Sequence, residues 1–478
     1  MTGWVMKYDC IIVGGGPAGL YAAYELAHKR PDMNVLLIEK GHDIYHRKCP
    51  ILMGKLTKCP IDKTGVAGCY PACSITSGFG GSGAYSDGKF NITSQFGGWL
   101  TDYLAAQEVE DLIQYVDGIN LSHGATDNIT DPTTQEVKQI EKRALGVGLK
   151  LLRARVRHLG TEQNLLIMKL IYESMIDKIE MKFKTEVKDI IVKDGQIKGV
   201  ILDKNDEEIY ADKVILSVGR EGATWLSRLC QKHHLKMTNN QVDIGVRVET
   251  NNIVMEEINE HLYEGKFIFN TTVGTQVRTF CSNPSGHVVV ENHNGTMLAN
   301  GHAFKDEQLG TENTNFALLV SHQFREPFDQ PNEFAHAIGQ LANKLSMGSI
   351  IVQKYGDIKL GRRTTEKRLK EGFVQPSLKE AVPGDLGLVL PYKTMKSLIE
   401  MVEALDHITP GIASEHTLFY GVETKFYSAR PEITNQFETK IEGLFVAGDG
   451  AGITRGLAQA GANGVYIARH IMRLKGDN

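Results

Sequence analysis

Four cysteines crowd one short stretch. Cys49, Cys59, Cys69 and Cys73 fall within 25 residues, and Lys48-Cys49-Pro50-Ile51 is echoed by Lys58-Cys59-Pro60-Ile61. In a reducing compartment such a cluster more often binds metal or exchanges electrons than forms a disulfide framework. Four thiolates would hold an iron–sulfur cluster, [4Fe-4S], or a zinc ion. The spacing C-x9-C-x9-C-x3-C matches no standard pattern. The Cys-Pro pairs favour iron–sulfur, and His42 and His46 nearby keep zinc open. Cys69 and Cys73 alone would make an exchangeable dithiol. Reduced thiols packed in a loop are the third reading.

A second set of residues is built to hold phosphate. Gly14-x-Gly16-Pro17-Ala18-Gly19 lies between an apolar, β-rich run (Tyr8 to Val13) and a helical stretch (Leu20 to Lys29). Gly14 permits the tight turn, Gly16 lets backbone approach a pyrophosphate, and Gly19 lets helix pack on strand. The helix N-terminus then offers free N–H groups and partial positive charge. A second apolar strand, Asn34 to Ile38, ends in Glu39-Lys40, and Glu39 stands 20 residues after Gly19. There its carboxylate can accept from ribose hydroxyls. The order of strand, turn, helix, strand and acid reads as a dinucleotide site, without separating FAD from NAD(P).

The far end of the chain separates them. Gly443-Leu444-Phe445-Val446-Ala447-Gly448-Asp449-Gly450 is a strand ending in Gly-Asp. It resembles the second FAD fingerprint of the glutathione-reductase-like flavoproteins. That resemblance implies that Asp449 bonds the ribityl chain. It also implies that a helix opening at Gly456-Leu457-Ala458 points its positive end at the flavin. Ala211 to Gly219 resembles the middle strand of the same superfamily, and Val187 matches the place where adenine meets backbone.

Gly78-Phe79-Gly80-Gly81-Ser82-Gly83-Ala84-Tyr85-Ser86-Asp87-Gly88-Lys89 is too rich in glycine for a core element. Such a loop lets backbone lie flat on a ring or phosphate, here through Gly80, Gly81 and Ser82. The Cys-rich stretch followed by this run is similar to the uncharacterised bacterial and archaeal FAD-dependent dehydrogenases. So are Gly421-Val422-Glu423-Thr424-Lys425 and the terminus around Asp449. The resemblance covers nearly the whole chain and implies FAD and a dehydrogenase or reductase activity. It departs at Cys281-Ser282-Asn283-Pro284-Ser285-Gly286-His287, where a Cys-x-Cys-Pro-Gly-Gly-like run is expected. The likeness therefore carries fold and cofactor but not substrate.

Flavin chemistry asks little of the protein beyond placement. His158 is a candidate acid or base, Arg455 a candidate anion clamp, and Lys89, Arg362 and Arg363 candidate carboxylate anchors. No second strand-linked glycine fingerprint offers a dedicated nicotinamide domain, which leaves NAD(P)H to dock transiently. An electron-donor protein is the other route, with a cluster as relay if the cysteines hold one. The alternatives are a flavin monooxygenase, and an RNA-modifying or redox-sensing flavoprotein.

These residues need a frame. The expected fold is α/β: a discontinuous Rossmann-like FAD-binding domain over 1–240 and 391–478, with an inserted α+β substrate or cap domain over 241–390. The Cys-rich loop, 47–77, belongs to the first part. A length of 478 residues accommodates two or three domains. The net charge of −4 supplies no field for nucleic acid, and the expected ligand is a small organic molecule. No run approaches the roughly 18 apolar residues of a spanning helix, and no leader pattern is visible, so the expected location is cytoplasmic.

Overall fold

The computed structural model describes residues 7–50, 53–56, 69, 72–86, 88–262, 264–293, 295–303 and 307–476. The chain divides into two compact units. The first comprises 1–129, 154–238 and 428–478, and the second 130–153 and 239–427.

The first unit is built on a seven-stranded sheet. The opening strand, Lys7–Val13, lies between the second strand, Val35–Ile38, and the long strand, Glu208–Leu216, parallel to both. The closing strand, Leu444–Val446, runs parallel to the C-terminal end of the long strand. The second strand is buried at every position, as an inner strand of a covered parallel sheet is. Ile11, Ile12, Leu36 and Leu37 are fully buried, each contributing about 2 kcal/mol. A hairpin, Val187–Lys193 with Gln196–Leu202, extends the sheet antiparallel. Its turn is an Asp-Gly pair, with Asp194 and Gly195 both at positive φ, 53° and 76°.

The opening helix, Pro17–Lys29, packs on the closing helix, Leu457–Gly476. Small residues set that contact: a Cβ on Gly464 would overlap the Ala18 carbonyl oxygen. A separate two-stranded ribbon pairs Lys89–Ile92 with Arg155–His158. The helix Ala106–Ser122 anchors it, because Arg157 makes a buried, two-pronged ion pair with Asp117, both contacts at 2.8 Å.

The second unit carries an eight-stranded sheet, mostly antiparallel, with Val242–Asn251 near its centre between Asn313–His322 and Leu418–Lys425. Alternation along the central strand is strict. Val242, Ile244, Val246 and Val248 enter one apolar core. Asp243, Arg247 and Glu249 point the other way and are fully buried too. This polar set is therefore an interior face, not a solvated one.

The division differs from the expected one at two places. Residues 130–153 join the second unit because Leu149–Leu151 pairs with Phe267–Asn270 at its sheet edge. Residues 391–427 join it because Leu418–Lys425 is an inner strand of that sheet. Among the described residues no helix is long and apolar enough to cross a membrane.

Candidate functional site

Four parallel strands of the first unit end side by side. Gly14 N–H donates to the Ile38 carbonyl at 2.8 Å, Ser217 N–H to Val13 at 2.8 Å, and Ala447 N–H to Leu216 at 2.9 Å. Their turns therefore open at one sheet edge, where ligands of such folds sit. Gly14 adopts φ +101°, and a Cβ there would overlap the Ser217 carbonyl oxygen. A Cβ on Gly19 would overlap the Gly14 carbonyl and the Ser217 hydroxyl. Gly16 differs. It caps the opening helix with no side-chain bond to the free N–H groups, and the nearest atom to an added Cβ is Gly81 Cα at 4.0 Å. Gly219 faces open space in the same sense, at φ +64°.

Glu39 is buried, and its carboxylate accepts from three backbone N–H groups: Gly15 at 2.7 Å, Gly41 at 2.8 Å and Gly78 at 3.0 Å. The predicted ribose acceptor thus also clasps three loops. Its two oxygens offer roughly four lone-pair sites, so one acceptor position remains. Lys40 pairs with Glu221 at 2.8 Å, and Glu221 also accepts from Thr76 and Ser77. Burial raises the Glu221 pKa, but Lys40 and the two hydroxyls outweigh it and hold the carboxyl below its usual range.

The glycine-rich loop lies against the opening turn. Gly80 N–H donates to Gly15 at 2.8 Å, and a Cβ on Gly81 would come within 2.9 Å of Gly16 Cα. Gly83 abuts Leu457 and Pro17 just as closely. Ser82 is exposed. The residue that shapes this loop was missed in the sequence. Arg47 is buried and donates to four carbonyls: Ser74 at 2.9 Å, Ile75 at 2.9 Å, Phe79 at 2.6 Å and Gly81 at 2.8 Å. Its only sequence signal is a lone arginine in an irregular Cys-rich stretch.

At the closing turn, Gly448 N–H donates to Asn463 Oδ1 at 2.9 Å, and Asp449 accepts from the Thr454 hydroxyl at 2.7 Å. Backbone 97–99 runs against 453–455, with Trp99 N–H to Ile453 and Arg455 N–H to Gly97, both 2.8 Å. Gly456 and Leu457 are half-buried and Ala458 buried at the start of the closing helix. Two buried polar atoms on that helix, Gln459 Oε1 and Asn463 Nδ2, have no partner among the described residues. Val187 is buried opposite Leu202, at the head of its hairpin.

Of the three candidate catalytic groups, Lys89 and His158 are brought together as cross-strand neighbours on the ribbon. Arg455 lies on the segment entering the closing helix. Arg362 and Arg363 belong to the second unit. Arg362 is paired with Asp357 at 2.7 Å, and Arg363 donates to the Pro383 carbonyl.

The described residues show no assembled cysteine cluster. Cys49, Cys69 and Cys73 are half-buried and form no disulfide among the described residues. Among the described residues no three His, Cys, Asp or Glu side chains form a group that could hold a metal. Cys59 lies outside the described residues. The electron relay expected from the cysteines therefore has no support in the placement of these side chains.

Comparison with known proteins agrees with this geometry. Residues 241–426 match the C-terminal-domain-like model of FAD-dependent proteins. Residues 12–45 match the NAD(P)-binding Rossmann-like domain. The chain is an FAD-dependent oxidoreductase. A protein of Clostridium beijerinckii described as uncharacterized is 25% identical over 499 residues, covering 98% of this chain and 81% of its own length. Among solved structures, a 3-ketosteroid dehydrogenase of Rhodococcus jostii matches at 11% identity and TM-score 0.43, over 98% of this chain and 96% of its own. Pyridoxine 4-oxidase, named as from Mesorbium loti, matches at 12% and 0.44, over 98% and 99%.

The oxidoreductase's residues fit the cofactor on structural grounds. Gly16 and Gly219 leave a cradle that side chains would fill. The opening helix presents uncapped N–H groups, and the unpartnered Gln459 and Asn463 atoms supply an acceptor and a donor.

Proposed function

We propose that this enzyme is a dehydrogenase or reductase of a small organic substrate that exchanges electrons with transiently docked NAD(P)H or with a donor protein. The supporting observation is the meeting of Gly14, Ser217 and Ala447 at one sheet edge, which sets the uncapped start of the opening helix near two carboxylates. In this reading the opening helix N–H groups hold the pyrophosphate. Glu39 and Asp449 accept from sugar and ribityl hydroxyls. When bound, FAD supplies the hydride chemistry. The start of the closing helix favours negative charge at the ring edge. Lys89 and His158 stand as the proton-handling and anion-orienting pair, and Arg455 as a clamp.

Anaerobic mixing tests the reading. FAD-loaded enzyme is mixed with NADH, NADPH and a reduced ferredoxin in turn. Flavin absorbance should bleach with one donor and recover on adding an organic acceptor. A flavin that only dithionite reduces would remove the reading.

A further inference from the structure

A groove of about 570 Å³ opens in the first unit between the helix Ala106–Ser122 and the far end of the closing helix. Small-molecule sites commonly span ~300–1,000 Å³. The flavin site does not draw on this groove. Arg473, on one wall, stands roughly 24 Å along the closing helix from Leu457 at about 1.5 Å per residue.

The two walls carry opposite charge. Glu108 and Asp111 line the groove from one helix, and Arg469 and Arg473 line it from the other. Spacings of three and four residues set each pair on a single helical face. The walls do not neutralise each other. Among the described residues Glu108 and Arg473 make no hydrogen bond or ion pair, and Asp111 accepts from its own neighbour Gln107 at 2.9 Å. Glu108 lies in the first turn of its helix and Arg473 in the last turn of the other. Each helix dipole favours the charge it carries there, without a partner.

The groove is also held in shape. Arg469 Nε donates to the buried Glu25 at 2.7 Å, and its guanidinium lies over the Tyr115 ring, 4.3 Å from the centroid. Tyr115 donates to the same carboxylate at 2.6 Å. Arg469 thus already has a carboxylate, which leaves Arg473 as the cation without one. The Tyr466 ring packs edge-on against the buried Phe437, centroids 5.5 Å apart. Burial pushes the Tyr466 hydroxyl up, Glu108 pushes the same way, and Arg473 pulls it back. The hydroxyl therefore stands in the field of both walls, and it has no hydrogen bond among the described residues. Leu112 and Met472 supply the apolar part of the lining.

A ligand with one charge satisfies one wall and strips water from the other without return. A ligand charged at both ends satisfies both. The two charges of an α-amino acid sit on one carbon, too close together for walls that stand too far apart to pair with each other. We propose that this groove binds a linear zwitterion, an ammonium and a carboxylate separated by an apolar chain. The ammonium lies at Glu108 and Asp111, and the carboxylate at Arg473. The chain runs over Leu112 and Met472 past the Tyr466 hydroxyl. The site belongs to the first unit alone. Binding there does not depend on the redox reading above, and its failure is separable from a failure of flavin reduction.

Isothermal titration of the FAD-loaded enzyme with 6-aminohexanoate tests this, with hexanoate and hexylammonium as controls that each lack one charge. The zwitterion should bind saturably, and each control roughly tenfold more weakly or worse. Glu108→Gln and Arg473→Gln should each weaken 6-aminohexanoate by roughly tenfold, and Arg473→Lys should restore most of the loss. Both positions are exposed, and far-UV circular dichroism with the flavin-to-protein absorbance ratio confirms that each variant is folded and loaded. The comparison of the three probes needs no variant at all. Equal binding of hexanoate or hexylammonium, absence of saturable 6-aminohexanoate binding, or wild-type affinity in folded Arg473→Gln would overturn the proposal.

Discussion

Glycines of one motif do different work, and a single methyl group separates them. A Cβ at Gly14 or Gly19 meets backbone oxygen, whereas at Gly16 it meets nothing nearer than 4.0 Å. Gly14→Ala should therefore destabilise the first unit itself, because a strained φ of +101° is added to the clash. Gly16→Ala should leave the thermal midpoint of the cofactor-free protein within about a degree or two, since even 1 kcal/mol shifts the midpoint by no more than about 2–4 °C in a chain of this size or smaller. It should still weaken FAD retention by roughly tenfold or more. Thermal melts with and without FAD, beside the flavin-to-protein absorbance ratio, separate the two. Equal loss of stability in both variants would show that Gly16 is packed rather than kept open. This distinction was legible in the sequence because a turn's backbone demands are local. The extra duty of Glu39 was not, since its partners Gly41 and Gly78 become neighbours only after the loops close.

Elements succeed here by being tied, and the ties come from far away in the chain. Arg47 gathers carbonyls 27 to 34 residues beyond it, and no local pattern marks such a residue. Burial pulls its pKa down from the usual value, but a guanidinium starts high enough to stay charged. Arg47→Met would leave several loop carbonyls without a donor, a loss on the order of 3 kcal/mol. Urea unfolding should register that loss, together with lower FAD content as the glycine-rich loop slackens from Gly15 and Gly16. Arg47→Lys should recover only part of either, because one ammonium cannot span four carbonyls. A Met variant with unchanged unfolding and full flavin would mean the loop is held by Glu39 alone. The unit boundary escaped the sequence for the same reason. Leu149–Leu151 and Leu418–Lys425 are ordinary short strands, and only their partners far off in the chain assign them to the second sheet.

Across the whole molecule, both units hold half-buried histidines whose charged form burial disfavours, and this sets how the enzyme answers acid. Burial lowers the pKa of His28 and His470 in the first unit and of His322 and His336 in the second. Asp243 pulls His322 back up without overcoming burial. Each folded pKa thus lies below the ordinary 6.5. As pH falls past that value the unfolded chain takes up protons that the folded chain refuses, so stability drops. The contribution is present above 6.5 and is lost on the way down toward the folded values. A second decline belongs to Asp189 and Asp357. Burial raises both, but Lys232 and His233 on one and Thr364, Arg362 and Arg368 on the other outweigh it, so both end below the usual 3.8. Their contribution persists until pH falls beneath that value. Thermal midpoints should therefore fall steadily between about pH 7 and about pH 5.5, well before the carboxylates titrate. His322→Gln can keep the bond to the Thr394 hydroxyl, made by His322 Nε2 at 3.2 Å. It should flatten that slope while leaving the limb below 3.8 in place. A midpoint that holds steady or rises down to about pH 5.5 would show that these imidazoles take up protons as freely folded as unfolded.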